Sequence, residues 1–192
     1  TLVSGIIGGL YSSTATISVL ARKSRKASEQ EATDYVAAML LAVSMMFLRF
    51  MILILIFSRE IFLSIYPYLL TMAVVAAIVA WFIHSRQKRP EDQSAETEED
   101  DSSNPLEFKV ALIFAVLFVI FTFLTHYTLV YAGTGGLNLL SFVSGFSDIT
   151  PFILNLLQNT GSVAALIITA CSMQAIISNI MVNMFYALFF AG

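Results

Sequence analysis

Long apolar runs alternate with short polar segments along this chain. Four runs are apolar almost throughout, over residues 36–57, 61–83, 110–132 and 163–190. Each has the length of about 20 residues that a helix needs to cross the hydrocarbon core of a bilayer. Two further runs, 2–20 and 137–157, are long enough but contain hydroxyl groups, a carboxyl group and glycines. The pattern predicts an all-α polytopic integral membrane protein with about six transmembrane segments.

Composition agrees with a membrane location. The chain is 58% hydrophobic and only 12% charged, with 16 Phe among 192 residues. Long uncharged apolar segments of this kind identify transmembrane helices, so the lipid bilayer is the first expected partner. A net charge of -3 provides no broad basic surface for nucleic acid.

The distribution of Lys and Arg predicts an orientation. Eight of the ten basic residues lie in two loops, 22–26 and 84–109. Loops rich in Lys and Arg stay in the cytoplasm, so both loops are predicted to be cytoplasmic. With six crossings, the C-terminus is then expected on the outside.

An acidic stretch divides the chain. Residues 84–105 include the run Glu96–Asp101 and have little apolar content, which predicts a disordered cytoplasmic linker. It separates a first membrane half, residues 1–83, from a second, residues 106–192. The sequence GGLYSSTATI at 8–17 aligns with SGFSDITPFI at 144–153. Two similar halves are therefore predicted, of the kind found in transporters. If both motif segments span the membrane they are parallel repeats, whereas a re-entrant hairpin in either one changes that relation.

Both motif segments are predicted to be discontinuous helices. In lipid an unsatisfied polar group costs several kcal/mol, yet the first motif crowds four hydroxyls together: Ser12, Ser13, Thr14 and Thr16. Ser12 or Ser13 can cap a half-length helix. In the second motif, Thr150 before Pro151 has the pattern of a cap followed by a first-turn proline. The hydroxyls either satisfy the freed amides or hold a ligand, and close helix packing is the structural alternative.

Two charged residues lie deep within the predicted segments, Arg49 in the second and Asp148 in the fifth. Each costs about 2.5–3.5 kcal/mol on insertion scales, and such residues usually face the bundle interior and pair. Asn179 and Asn183 form a polar stripe on the last segment. A second stripe at helical spacing is predicted on the fifth segment by Ser141, Ser144, Asp148 and Asn155.

These charges allow a structural and a functional interpretation. The structural one is an Arg49–Asp148 pair that holds helices together. The functional one is a polar cavity in which Asp148 titrates or binds a cation, while Arg49 or the helix N-termini attract an anion. No His or Cys stands at metal-ligand spacing, and no nucleophile elbow or phosphate loop occurs. The chain is therefore expected to have no catalytic residues, no metal site and no cofactor.

Five motifs in order carry a resemblance to a known family: Gly8-Gly9 before the hydroxyl cluster, Arg49 in MMFLR, Asn104-Pro105-Leu106-Glu107, Gly145-x-x-Asp148 and Ser178-Asn179. Over essentially its whole length the chain resembles domain-of-unknown-function family 4010, found as the C-terminal part of some bacterial MgtC/SapB-type proteins. The resemblance implies a multi-pass protein of the prokaryotic inner membrane, in which an MgtC-like domain, if present, lies upstream of Thr1. MgtC-type proteins are linked to magnesium homeostasis and to restraint of membrane energy enzymes.

The chain also departs from that family pattern. The family usually has an acid where Thr150 stands and a lysine where Asn183 stands. With a single carboxylate, Asp148 suits a proton or a monovalent ion better than a divalent cation.

Two hypotheses about function follow. The first is a transporter or permeation domain for a small solute or ion, with a polar mid-membrane site made by Ser12, Ser13, Thr14, Thr16, Arg49, Asp148, Thr150, Asn179 and Asn183. The alternative is a regulatory or scaffolding subunit without transport activity, and a homo-oligomer is allowed in both cases. A water-accessible cavity that reaches Ser12 and Asp148 favours transport, whereas a sealed ion pair favours a structural role.

Overall fold

A computed structural model of the protein describes residues 1–86, 105–161 and 163–191. Within these ranges there are helices and no strands, which confirms the all-α prediction. The helices are α1 (Leu2–Ser24), α2 (Glu29–Phe57), α3 (Arg59–Ser85), α4 (Pro105–Ser144), α5 (Ile149–Gln158) and α6 (Ala165–Ala191). Most of the predicted linker 84–105 falls outside the described residues, and the division into two similar halves stays a prediction.

Four segments of the described chain are long and apolar enough to cross a membrane: Glu31–Phe57, Arg59–Ser85, Leu112–Ser144 and Ala165–Ala191. Segments of this length and hydrophobicity are typical of a membrane-embedded protein. The predicted count of six spans is not confirmed, because the two motif segments take a different form.

The first motif segment, α1, folds back on itself. Ser12 is extended, with φ -154° and ψ 104°, and interrupts the helix. Gly8 lies against the side chain of Thr16. In a straight helix, residues eight apart would be separated by about 12 Å. Residues 2–11 and 13–24 therefore form two short antiparallel helices, named here the first hairpin (residues 2–24). The predicted break at Ser12 or Ser13 is confirmed at Ser12.

The second motif segment begins with a chain reversal at Gly133. This residue has φ 58° and ψ -147°, a conformation that favours glycine. Gly136 consequently lies against Thr128, eight residues earlier. Residues 134–144 then run beside α6 in the same direction. Asn138 is next to Cys171 at that helix's start, and the carbonyl of Phe142 accepts from Ser178 further along.

The chain turns again at 145–148, and α5 runs antiparallel to residues 134–144. Had α5 continued in the direction of 134–144, Gln158 would lie roughly 40 Å from Ala165 at 1.5 Å per residue. The six connecting residues span at most about 20 Å. Residues 134–158 are thus a second hairpin, and its α5 packs on α4 through the rings of Phe121 and Phe152, whose centroids are 5.5 Å apart.

The two hairpins enter the bundle from opposite ends. The end that carries the basic residues 22–26 is named here the basic end. The first hairpin opens toward the basic end, and the tip of the second points toward it. The predicted parallel relation of the motif segments is therefore wrong, because their orientation is inverted.

The C-terminal end of α6 also lies at the basic end. The Arg22 guanidinium sits 4.4 Å from the centre of the Phe190 ring. The expectation that the C-terminus lies on the side opposite to loop 22–26 is wrong. Its physical reason is the second hairpin, which returns to the end where it started and leaves α6 to cross in the other direction.

Helix α2 is the scaffold against which the first hairpin packs. Its start is fixed by Ser28, whose hydroxyl accepts from the amide of Glu31 in a capping box. Gly5 and Gly9 bring the first hairpin into backbone contact with Ala38 and Ala42 of α2. These small residues allow the close helix approach that membrane bundles favour.

This contact gives a stability prediction. At Gly9 an added methyl group would lie 2.7 Å from the carbonyl oxygen of Ala42, so Gly9→Ala forces the hairpin away from α2. We expect a loss of about 1–3 kcal/mol in the free energy of unfolding, measured by thermal unfolding in detergent. Gly135→Ala is the matched control, because nothing lies within 4 Å of its added methyl group. Equal losses in both variants would contradict this packing.

Candidate functional site

Arg49 joins the tips of the two hairpins inside the bundle. The first tip is defined as residues 10–14 and the second tip as residues 145–150. One guanidinium nitrogen of Arg49 donates to the carbonyl oxygen of Leu10 at 3.3 Å. The other donates to the hydroxyl of Thr150 and lies 3.9 Å from the carboxylate of Asp148. A single side chain on α2 therefore contacts both tips.

Asp148 begins α5. Its carboxylate accepts from the backbone amide of Thr150 at 2.9 Å and from the Thr150 hydroxyl at 2.7 Å. The N-cap of α5 is therefore Asp148. The prediction that Thr150 caps this helix is wrong by two residues. Pro151 still lies in the first turn, where its missing N–H leaves no helical hydrogen bond unmade.

Asn179 on α6 is a second connection between the tips. Its side-chain amide donates to the Gly145 carbonyl at 3.1 Å and lies 3.5 Å from the Thr14 hydroxyl. Asn183, one turn further on, donates to the Asn179 side-chain oxygen at 3.2 Å, which orients the amide toward the tips. Gly145 has no room for a side chain, because an added methyl group would lie 2.8 Å from the Asn179 backbone nitrogen.

A cavity of about 450 Å³ extends from the two tips toward the basic end. This volume is within the range of small-ligand sites. Its walls come from both tips, α2 and α6. The polar residues that line it are Ser12, Ser13, Thr14, Ser18, Arg22, Arg49, Ser147, Asp148, Asn179 and Tyr186. The Asp148 side chain is 43% exposed, so the Arg49–Asp148 pair is not fully buried.

The structure brings most of the predicted site residues to this cavity. Six of the nine line it. The other three do not line the cavity but contact residues that do. Thr16 donates to the Ser12 carbonyl at 2.8 Å, Thr150 links Arg49 to Asp148, and Asn183 orients Asn179. All nine lie within the hairpins or on the helix faces that contact them.

The predicted polar stripe on the fifth segment is wrong. The chain turns between Ser144 and Asp148, so Asn155 lies on the returning helix. There it donates to the Thr122 hydroxyl of α4 at 2.8 Å. The stripe depended on one continuous helix, and the second tip interrupts it.

Ten of the sixteen described residues that line the cavity are not among the predicted site residues, and Arg22, Tyr186 and Phe190 are three of them. The sequence assigns Arg22 only to the basic cluster that sets orientation. It places Tyr186 and Phe190 within an apolar span, yet both line the cavity. They continue the helical spacing of Asn179 and Asn183 at seven and eleven residues from Asn179, and extending that stripe would have found them.

The site provides hydroxyls, one amide and opposing charges. In the described part of the chain, no three His, Cys, Asp or Glu side chains lie where they could hold a metal ion. Two helices begin at the tips, namely α5 and the second half of α1. Their N-terminal amides and positive dipole ends therefore face the central region. This chemistry suits reversible binding of a small polar or charged solute.

Comparison with known proteins identifies one family. Residues 1–191 match the model described as "Domain of unknown function (DUF4010)". An "Uncharacterized protein" of Aquifex aeolicus (strain VF5) is 25% identical over 196 residues, covering 100% of this chain and 82% of that protein. No solved structure gives a significant match.

Proposed function

This chain belongs to the family described as domain of unknown function DUF4010, and we propose that it is a membrane transport domain for a small solute or ion. The substrate site is the cavity between the two hairpin tips. The protein lies in the prokaryotic inner membrane, with the basic end in the cytoplasm because Lys and Arg concentrate there.

One observation carries the proposal. Two broken membrane segments meet at their tips inside the bundle, and a cavity of about 450 Å³ begins there. Broken backbone at membrane depth is tolerated where it is buried in protein or lines a cavity. Ser12 and Asp148, one from each tip, both line this cavity. That arrangement favours transport over a sealed structural pair.

The inverted orientation of the hairpins supports the same function. Residues 2–57 comprise a hairpin from the basic end followed by a helix that leaves it. Residues 134–191 comprise a hairpin from the opposite end followed by a helix that returns. We infer an inverted repeat of hairpin plus helix. Inverted repeats with discontinuous helices and a midplane site are a recurrent design of secondary transporters.

A regulatory or scaffolding role, as the MgtC/SapB resemblance implies, is the competing proposal. It calls for a defined membrane partner and needs no accessible interior. The exposed fraction of Asp148, 43%, favours transport. Co-purification of a stoichiometric partner, together with absent transport, would favour the regulatory role.

A steric block tests transport without assuming the substrate's charge. Ala15 lines the cavity beside the first tip, so the indole of Ala15→Trp would fill part of it. We expect much lower uptake into proteoliposomes for any transported member of a panel of small anions, cations and neutral solutes, because the indole occupies space that a bound solute needs. Isotope uptake measures the flux.

The matched control is Val75→Trp on α3, where the native side chain is 59% exposed on the lipid-facing surface. This variant keeps the added indole away from the cavity and should transport normally. The proposal fails if the wild-type protein moves no member of the panel, or if Ala15→Trp and Val75→Trp transport equally well.

A further inference from the structure

We propose that the substrate is a small anion and that it reaches the cavity from the basic end by passing between Arg22 and Phe190. This inference rests on the proposed transport function and adds the substrate class and the entry route. It derives from the charges that line two neighbouring cavities and from the residues that both cavities share.

The first step is the charge of the route. A second cavity, of about 480 Å³, lies at the basic end and is lined by Val19, Arg22, Lys23, Arg25, Lys26 and Phe190. Four of these six residues are cationic, and among the residues that the structure describes no acidic side chain lines this cavity. A cavity lined by one sign of charge between apolar walls concentrates ions of the opposite sign. This outer cavity therefore concentrates anions and repels cations.

The second step is the charge of the central cavity. Its charged lining residues are Arg22, Arg49 and Asp148. The Asp148 carboxylate already accepts the amide and hydroxyl of Thr150 and lies 3.9 Å from Arg49. Arg49 and Asp148 offset each other, so Arg22 leaves the lining with a positive balance. A cation at the tips would face two guanidinium groups and one carboxylate, whose Oδ1 already accepts both Thr150 donors and lies nearest Arg49.

The third step is the connection between the cavities. Arg22 and Phe190 are the two residues that line both. The guanidinium lies 4.4 Å from the ring centre, a cation–π contact between the first hairpin and the end of α6. A solute that moves from the outer to the central cavity passes this contact. Arg22 is thus placed to select by charge, and Phe190 to restrict access.

Basic residues at this end also set membrane orientation, so a control must separate the two roles. Arg86 at the end of α3 is at the same end of the bundle, since His84 of that helix contacts Asp34 near the start of α2. Its guanidinium lies 4.1 Å from the Phe82 ring centre. Arg86 matches Arg22 in charge, location and aromatic contact, but it lines neither cavity.

The experiment compares wild type, Arg22→Gln and Arg86→Gln in proteoliposomes held at a fixed membrane potential. The probes are isotopes of chloride, phosphate and acetate, and of sodium and rubidium. We expect uptake of at least one anion and of neither cation. Arg22→Gln should lower anion uptake about tenfold, the lower range of electrostatic steering, while Arg86→Gln should match wild type. Cation uptake alone, or equal anion uptake in the two variants, would overturn the inference and leave the transport function standing.

Thermal unfolding in detergent tests anion binding when no uptake is seen. If none of these five ions is taken up, the anion site is judged by binding, while the transport function is judged by the wider panel of solutes. Sodium salts of the three anions are compared at equal ionic strength, because a ligand bound to the folded state raises its stability. A rise in unfolding temperature with one anion that Arg22→Gln abolishes and Arg86→Gln retains would support the site. The same response in all three proteins would overturn it.

Discussion

Replacing Arg49 with lysine is expected to reduce transport to background, even though the positive charge is kept. The arginine fork places one nitrogen on the Leu10 carbonyl and the other on the Thr150 hydroxyl, so both tips are held at once. A lysine ammonium is a single point charge without this fork. It would pair with one tip and release the other, and uptake in proteoliposomes would show the loss.

Arg49→Ala separates stability from function. Removing one partner of a fully buried ion pair costs about 3–5 kcal/mol. The Asp148 side chain is 43% exposed, so the pair is not fully buried and we expect a smaller loss of about 2 kcal/mol in the free energy of unfolding. Arg49→Lys should lose less stability than Arg49→Ala while losing as much transport. Normal uptake by Arg49→Lys would contradict the bridging role.

The control for both substitutions is Arg59→Ala. Arg59 is exposed at the start of α3, at the end of the bundle away from the basic end. It has the same chemistry as Arg49 without contact to either tip. Its removal should change neither uptake nor the unfolding temperature, since exposed charges contribute little to stability.

The parts of the site that sequence could predict are those with a local physical cause. Hydroxyls that cap a helix were recognisable at Ser12, because unsatisfied amides in lipid need a nearby acceptor. Arg49 and Asp148 stood out because a charge at membrane depth is costly and must find a partner. These costs act at each position alone, so the surrounding fold was not needed to detect them.

The hairpins could not be predicted because their cause is not local. A run of 19 or 21 apolar residues satisfies the length of a span as well as that of a folded-back pair. The reversals depend on contacts eight residues apart, Gly8 with Thr16 and Gly136 with Thr128. Glycine permits such an approach without requiring it. The unconfirmed span count and the wrong predictions of repeat direction and C-terminal side all follow from this one ambiguity.

Changing Asn179 to aspartate is expected to abolish transport, because the substitution keeps the shape and reverses the hydrogen-bonding role. The Asn179 amide donates to the Gly145 and Ser147 carbonyls, at 3.1 and 3.4 Å, and lies near the Thr14 hydroxyl. An ionised carboxylate only accepts. Its oxygens would face two carbonyl oxygens and push the second tip away from α6. We expect at least about tenfold lower uptake and a loss of about 1–3 kcal/mol in stability.

Asn159→Asp is the matched control, since it makes the same chemical change in the connection between α5 and α6. There the side chain donates to the Asn155 carbonyl, at 2.8 Å, away from both tips. Uptake should stay close to wild type. Asn183→Asp should have an intermediate effect, because Asn183 only orients Asn179. If Asn179→Asp transports as well as Asn159→Asp, the Asn179 amide is not needed to hold the second tip and the prediction is contradicted.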